Sequence, residues 1–215
     1  VALPPSQERR PLRALASWAA RPGLAAVLVF VLLYRIGDRA MAPMIPFFWV
    51  DRGFSLSEYG LYNSALGAGA TVLGAFVGGA VVSRQGIPSS LWWTGAFALA
   101  SNLLYAAVAL WPESGRLGVY SAGVVESFTS GAVGAAFVSY LMRICEKRHA
   151  AVQYAALTGL YALAGSLLAG ASGWITEATG FAGYFALTAA FAAPAFALLS
   201  RASTWMQPVE ADDVD

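Results

Sequence analysis

The amino-acid sequence predicts an all-α membrane protein of six spanning helices. Of its 215 residues 58% are hydrophobic and only 12% charged, whereas soluble domains carry about 25% charged residues. The apolar residues gather into runs of roughly 20, the length that crosses a bilayer as a helix. A third observation concerns function. The first run holds Arg35, Asp38 and Arg39 near its centre, where each charge costs about 2.5–3.5 kcal/mol on insertion scales. A chain that keeps three charges there must pair them or use them.

Several classes fall away. The net charge is +1 and no basic block is present, so nucleic acid is not an expected partner. Cys145 and His149 are single residues of their kinds, which leaves no internal disulfide and no cysteine-based metal site. No nucleophile–base pair lies within the spans, which argues against a membrane-embedded enzyme. The first apolar run is too long and too charged for a signal peptide. The chain opens on Val1 and a stretch punctuated by Pro4, Pro5 and Pro11, and we expect it to be part of something longer.

Residues 1–22 are expected to form a basic cytoplasmic linker, with Arg9, Arg10, Arg13 and Arg21 and room for a short surface helix. The first span, 23–50, carries Pro43 and Pro46 in its outer half, so a kink is expected there. Asp51-Arg52-Gly53 ends it, and Ser55 to Glu58 resembles a capping sequence. The second span, 59–82, has Ala70, Gly74 and Gly78 at four-residue spacing, as the fifth has Gly165, Ala169 and Gly173, a pattern that lets helices approach closely. A turn with Arg84 leads to the third span, 90–110, flanked by Trp92, Trp93 and Trp111 as interfacial anchors. The fourth, 117–142, contains Glu126, the other ionisable group deep in a span. The fifth and sixth cover 151–176 and 181–199, and 201–215 is an acidic tail.

Lys and Arg concentrate on the side of the N-terminal linker, with only Arg52 and Arg116 opposite, which predicts both termini in the cytoplasm. Arg35, Asp38 and Arg39 can share one side of a helix. At 1.5 Å per residue Arg39 and Glu126 lie at similar depth, roughly 16 and 14 Å from the outer ends of their spans, so an Arg39–Glu126 pair is expected to neutralise the four charges. Arg35 and Arg39, with Tyr34 beside them, are the candidate contacts for an anionic substrate. Glu126 and Asp38 are the candidate proton carriers, with Glu126 preferred. Pro43, Pro46, Arg84, Gln153 and Tyr154 are candidate gate or interface residues. Asn63, Ser101, Asn102, Tyr140 and Tyr161 are expected mostly to hydrogen-bond between helices.

Together, Arg35-Ile36-Gly37-Asp38, Asp51-Arg52-Gly53-Phe54-Ser55, Glu126 with Gly131, Gly134, Ala135, Ala136 and Phe137, then Tyr140-Leu141-Met142 and Gln153-Tyr154-Ala155 resemble the C-terminal half of AmpG-type muropeptide permeases. These belong to the major facilitator superfamily, near the acetyl-CoA transporters. The segment from Gly79 to Gly86 also resembles the loop motif of that superfamily, with Ser83 in place of its aspartate. The resemblance implies a proton-driven importer of anhydro-muropeptides across the bacterial inner membrane. It implies two inverted three-helix repeats, with spans one and four lining the cavity as first helices, and a missing N-terminal six-helix half as partner. No cofactor is expected beyond the proton gradient. A permease for another sugar, peptide or acyl-CoA-like solute, and a non-transporting scaffold with a structural charge network, are the competing readings.

Overall fold

A computed structural model gives the structure of residues 22–147 and 149–206. The expected linker with Arg9, Arg10, Arg13 and Arg21, Arg148 of the basic loop, and the tail beyond residue 206 lie outside the described residues. Among those described, the elements are helices and turns, with no strand. In chain order they are α1 (Leu24–Tyr34), α2 (Ile36–Met41), α3 (Ile45–Asp51), α4 (Leu56–Tyr62), α5 (Ala68–Gln85), α6 (Ile87–Leu110), α7 (Gly115–Ile144) and α8 (Ala150–Ser203). Among the described residues four stretches are long and apolar enough to cross a membrane: Leu56–Gln85, Ile87–Leu110, Pro112–Ile144 and Ala150–Ser203. This is an all-α membrane protein.

The first expected span is not one continuous helix. It breaks at Arg35, whose φ of −106° and ψ of 4° leave the helical region, and again at a 3₁₀ turn over Ala42–Met44 that contains Pro43. The prolines act as the sequence predicts, whereas the break at Arg35 has no proline to announce it. Just beyond it the chain makes a close approach: a Cβ added at Gly37 would stand 2.6 Å from the Thr188 carbonyl oxygen of α8. The last two expected spans run as a single 54-residue element, interrupted at Gly180 with φ 69° and ψ 170°. That conformation suits glycine and breaks the helical path.

Local signals at the helix ends behave as read. The Ser55 hydroxyl accepts a hydrogen bond from the Glu58 amide at 3.1 Å, capping α4. Glu58 also pairs with Arg116 and accepts from the Tyr120 hydroxyl at 3.0 Å, tying the start of α4 to the start of α7. Arg52 donates to the carbonyls of Val108 and Ala109 at the end of α6, where a helix C-terminus leaves carbonyls short of partners, and Val108 also accepts from the Trp111 amide.

Helix α5 packs along α7. A Cβ at Gly74 would run into the Phe128 carbonyl, one at Gly78 into Ala132, and one at Gly131 into Thr71, so this seam exists because the side chains are absent. Two apolar clusters result. One gathers Val27, Phe30, Tyr34, Leu91, Val133, Tyr140 and Leu199. The other gathers Met41, Phe48, Trp49, Tyr105, Val119, Ala122 and Phe185. Along the first segment, residues 35–39 fall between the two, and along α7 Glu126 does the same. The buried Ser101 and Asn102 of α6 and Thr188 of α8 occupy the same gap in their helices. Asn102 donates to the Thr188 hydroxyl at 3.3 Å, one of the interhelical hydrogen bonds expected of such residues.

Candidate functional site

The polar layer between the two clusters is built from the broken first segment, α7 and α8. Arg35 Nε lies 3.3 Å from Asp38 Oδ2, with both side chains 14% exposed. The contact is an ion pair without hydrogen-bond geometry, because neither atom has a hydrogen-bond partner among the described residues. The guanidinium of Arg35 reaches α7, where a Cβ added at Gly134 would stand 3.4 Å from Nη1. A glycine there leaves the space that the arginine fills.

Arg39 takes another direction. Its Nη2 donates to the Tyr161 hydroxyl at 3.3 Å, and its guanidinium carbon sits 5.1 Å from the centre of the Tyr161 ring, within cation–π range. The side chain is otherwise exposed. Glu126 receives a hydrogen bond from its neighbour Ser127, whose hydroxyl stands 3.5 Å from Oε2, and the charges that act on it are those of Asp38 and Arg35. The expected Arg39–Glu126 ion pair does not form. Depth counting could not say toward which helix a long side chain would turn, and Arg39 turns toward Tyr161 of α8.

The remaining candidates are placed as follows. Tyr34 is buried, with its hydroxyl donating to the Leu91 carbonyl at 2.7 Å and lying 3.2 Å from the Thr94 hydroxyl. It anchors the segment before the break and offers no free polar group to a solute. Pro43 lies in the 3₁₀ turn and Pro46 in the first turn of α3. Arg84 is exposed in the last turn of α5 and makes no ion pair among the described residues. Gln153 is fully buried, and its Oε1 accepts from the Glu146 amide at 2.8 Å, so it pins the loop between α7 and α8. Tyr154 is half-buried and packs at the edge of the first apolar cluster. Sequence reasoning missed the contribution of Ser127 and the role of Tyr161 as the partner of Arg39. It also missed a π-helical turn over Asn63–Gly67 between α4 and α5.

The chain is 30% identical over 203 residues to the anhydromuropeptide permease of Escherichia coli, a match covering 93% of this chain and 40% of that protein. The similarity to that permease runs through nearly the whole of this chain. AmpG-named transporters of Rickettsia conorii and Rickettsia felis match at 28% and 23% identity over 83% and 84% of the chain, and over 43% and 41% of their own lengths. The chain therefore spans about 40% of the length of these curated relatives. No family model matches it. These relatives are named as permeases and transporters.

Proposed function

We propose that the chain forms the C-terminal half of a proton-coupled secondary transporter of the major facilitator type, which imports an anionic solute of the anhydromuropeptide class. The observation that carries this reading is the way the four intramembrane charges are used. A structural network would tie helices together through ion pairs. Among the described residues Arg35 pairs within its own segment, the Glu126 side chain bonds only to Ser127, its own neighbour, and Arg39 contacts a neutral tyrosine. Charges kept in a membrane without being spent on ion pairs between helices are most economically explained by a transported partner.

The roles follow from charge balance. Arg35 pairs with Asp38, which leaves Glu126 a carboxylate without an ion-pair partner among the described residues. Glu126, which has no arginine within ion-pairing distance among the described residues, is the carrier in this reading, and Asp38 holds Arg35 in place. Arg39 has no carboxylate of its own and is left to bind an anionic group of the solute, with its planar fork suited to a carboxylate. Six spans complete the arrangement if the broken first segment counts as one and Gly180 divides α8 into two. Residues 24–110 and 112–203 then form two inverted three-helix repeats. Both termini lie on the cytoplasmic side of the inner membrane, and an N-terminal six-helix half supplies the rest of the cavity.

The test is uptake of labelled anhydromuropeptide by the full-length protein in proteoliposomes under an imposed pH gradient. Uptake should depend on the gradient and fall sharply in Arg39→Ala and Glu126→Gln. Undiminished uptake in both variants would remove the proposed site, and uptake indifferent to the gradient would remove proton coupling.

A further inference from the structure

A π-turn over Asn63–Gly67 interrupts the second span at a polar residue whose side chain makes no hydrogen bond among the described residues. In it the Ala68 amide donates to the Asn63 carbonyl, five residues back, so one more residue is accommodated than an α-helix allows. The consequence is visible in the residues that face α7. Tyr62 before the turn approaches the Ser127 hydroxyl at 3.4 Å, and Gly67, Gly74 and Gly78 after it are buried. An uninterrupted helix would bring the face of Tyr62 round after three or four residues, not five. The extra residue thus keeps both halves of the span against α7.

Asn63 is exposed, and its side chain makes no hydrogen bond among the described residues, unlike Ser64, which returns its hydroxyl to the Gly60 carbonyl at 2.8 Å. The carboxamide nevertheless turns toward α7. A Cβ added at Gly67 would stand 3.4 Å from both Asn63 Oδ1 and Ser127 Oγ, so the two oxygens flank one notch, and Ser127 in turn bonds to Glu126. An unpaired carboxamide is costly against hydrocarbon and is tolerated at membrane depth where water or a bound solute satisfies it.

We propose that Asn63 is a solute-contacting residue, aimed by the π-turn into a water-filled path beside Ser127 and Glu126, where it hydrogen-bonds an uncharged hydroxyl or amide of the solute whose anionic group Arg39 holds. This rests on the transport reading above and narrows it to a solute with neutral polar groups set apart from its negative charge. A carboxamide both donates and accepts, which matches such groups and is indifferent to the proton on Glu126.

Two measurements on the full-length protein in proteoliposomes test this. In a cysteine-free background, Asn63→Cys should react with a membrane-impermeant thiosulfonate about tenfold faster than Phe76→Cys, because only a hydrated thiol ionises and reacts. Reaction no faster than at Phe76, an exposed apolar position of α5, would overturn the proposal. For labelled anhydromuropeptide, Asn63→Leu should raise KM about tenfold through the lost hydrogen bond, with dependence on the pH gradient retained and Asn63→Gln restoring part of the affinity. An unchanged KM in Asn63→Leu would overturn it equally. Should the unmutated protein take up no anhydromuropeptide, the substrate reading above fails, and the labelling result alone supports or overturns the place of Asn63.

Discussion

The stem of Arg39 lies across Gly165 of α8: a Cβ built at that glycine would stand 3.2 Å from Arg39 Cβ and 3.3 Å from Cγ. The arginine therefore reaches Tyr161 across a position with no side chain. Gly165→Ala asks for a shift of a few tenths of an ångström and should reduce uptake modestly. Gly165→Leu should displace the guanidinium and reduce uptake about tenfold or more, with the protein still inserted and folded. Equal uptake by the Leu variant and the unmutated protein would mean that the position of Arg39 is immaterial to transport.

Helix packing predicts a contrast between two glycines that look alike in the sequence. At Gly74 an added Cβ meets the Phe128 carbonyl of α7, whereas at Gly173 it meets nothing within 4 Å. Gly74→Ala should destabilise the fold by about 1–3 kcal/mol, as overpacking does. Gly173→Ala should be neutral or slightly stabilising, because alanine is favoured over glycine in a helix interior by about 1 kcal/mol. Melting temperatures of the purified protein in detergent separate the two. The same loss at both positions would show that the spacing of small residues, and not their contacts, is what matters.

These two glycines mark where the sequence stops being legible. Apolar runs, the cap at Ser55 and the charges at Arg35, Asp38, Arg39 and Glu126 are one-dimensional signals, and the cap is found where expected. The small-residue spacing in the fifth span is equally plain, yet Gly165 serves an arginine and Gly173 faces open space, because spacing does not say which neighbour a helix face meets. The direction of Arg39 was hidden for a similar reason. A long side chain at a known depth can turn to either of two helices, and the ring of Tyr161 decided it. The break at Arg35 and the π-turn at Asn63 are backbone responses to packing on α8 and α7, with no residue type in the sequence that requires them.

Arg52 offers a test of stability outside the charged layer. Its guanidinium donates to the Val108 carbonyl at 3.0 Å and also to Ala109, and its carbon sits 5.0 Å from the Phe48 ring centre. Arg52→Ala removes a charged donor from two helix-end carbonyls and should cost about 1.5–3 kcal/mol. Arg52→Lys keeps the charge but loses the fork and should recover only part of this. The measurement is the melting temperature in detergent, with uptake by the surviving folded protein little changed. A melting temperature unmoved in Arg52→Ala would show that water satisfies these carbonyls as well as the arginine does.

Cys145 gives a prediction in pH. It lies just past the end of α7, 9% exposed, and burial, with the Glu146 charge adding to it, pushes its thiol up to about 11 from an ordinary value of 9.0. A raised thiol pKa means that the fold favours the neutral form. Its contribution to stability is complete below pH 9 and is lost as the pH rises through about 11. The thiolate is the nucleophile, so alkylation by iodoacetamide in the folded protein should be slow at pH 7 and 8 and should accelerate only toward pH 11. Following the Cys145-containing peptide by mass spectrometry across that range checks this, and unfolding the protein in denaturant should move the midpoint back toward 9.0. Rapid alkylation of the native protein near neutral pH would mean that the loop held by Gln153 opens to solvent, since the geometry of the closed loop leaves the sulfur almost no access to reagent.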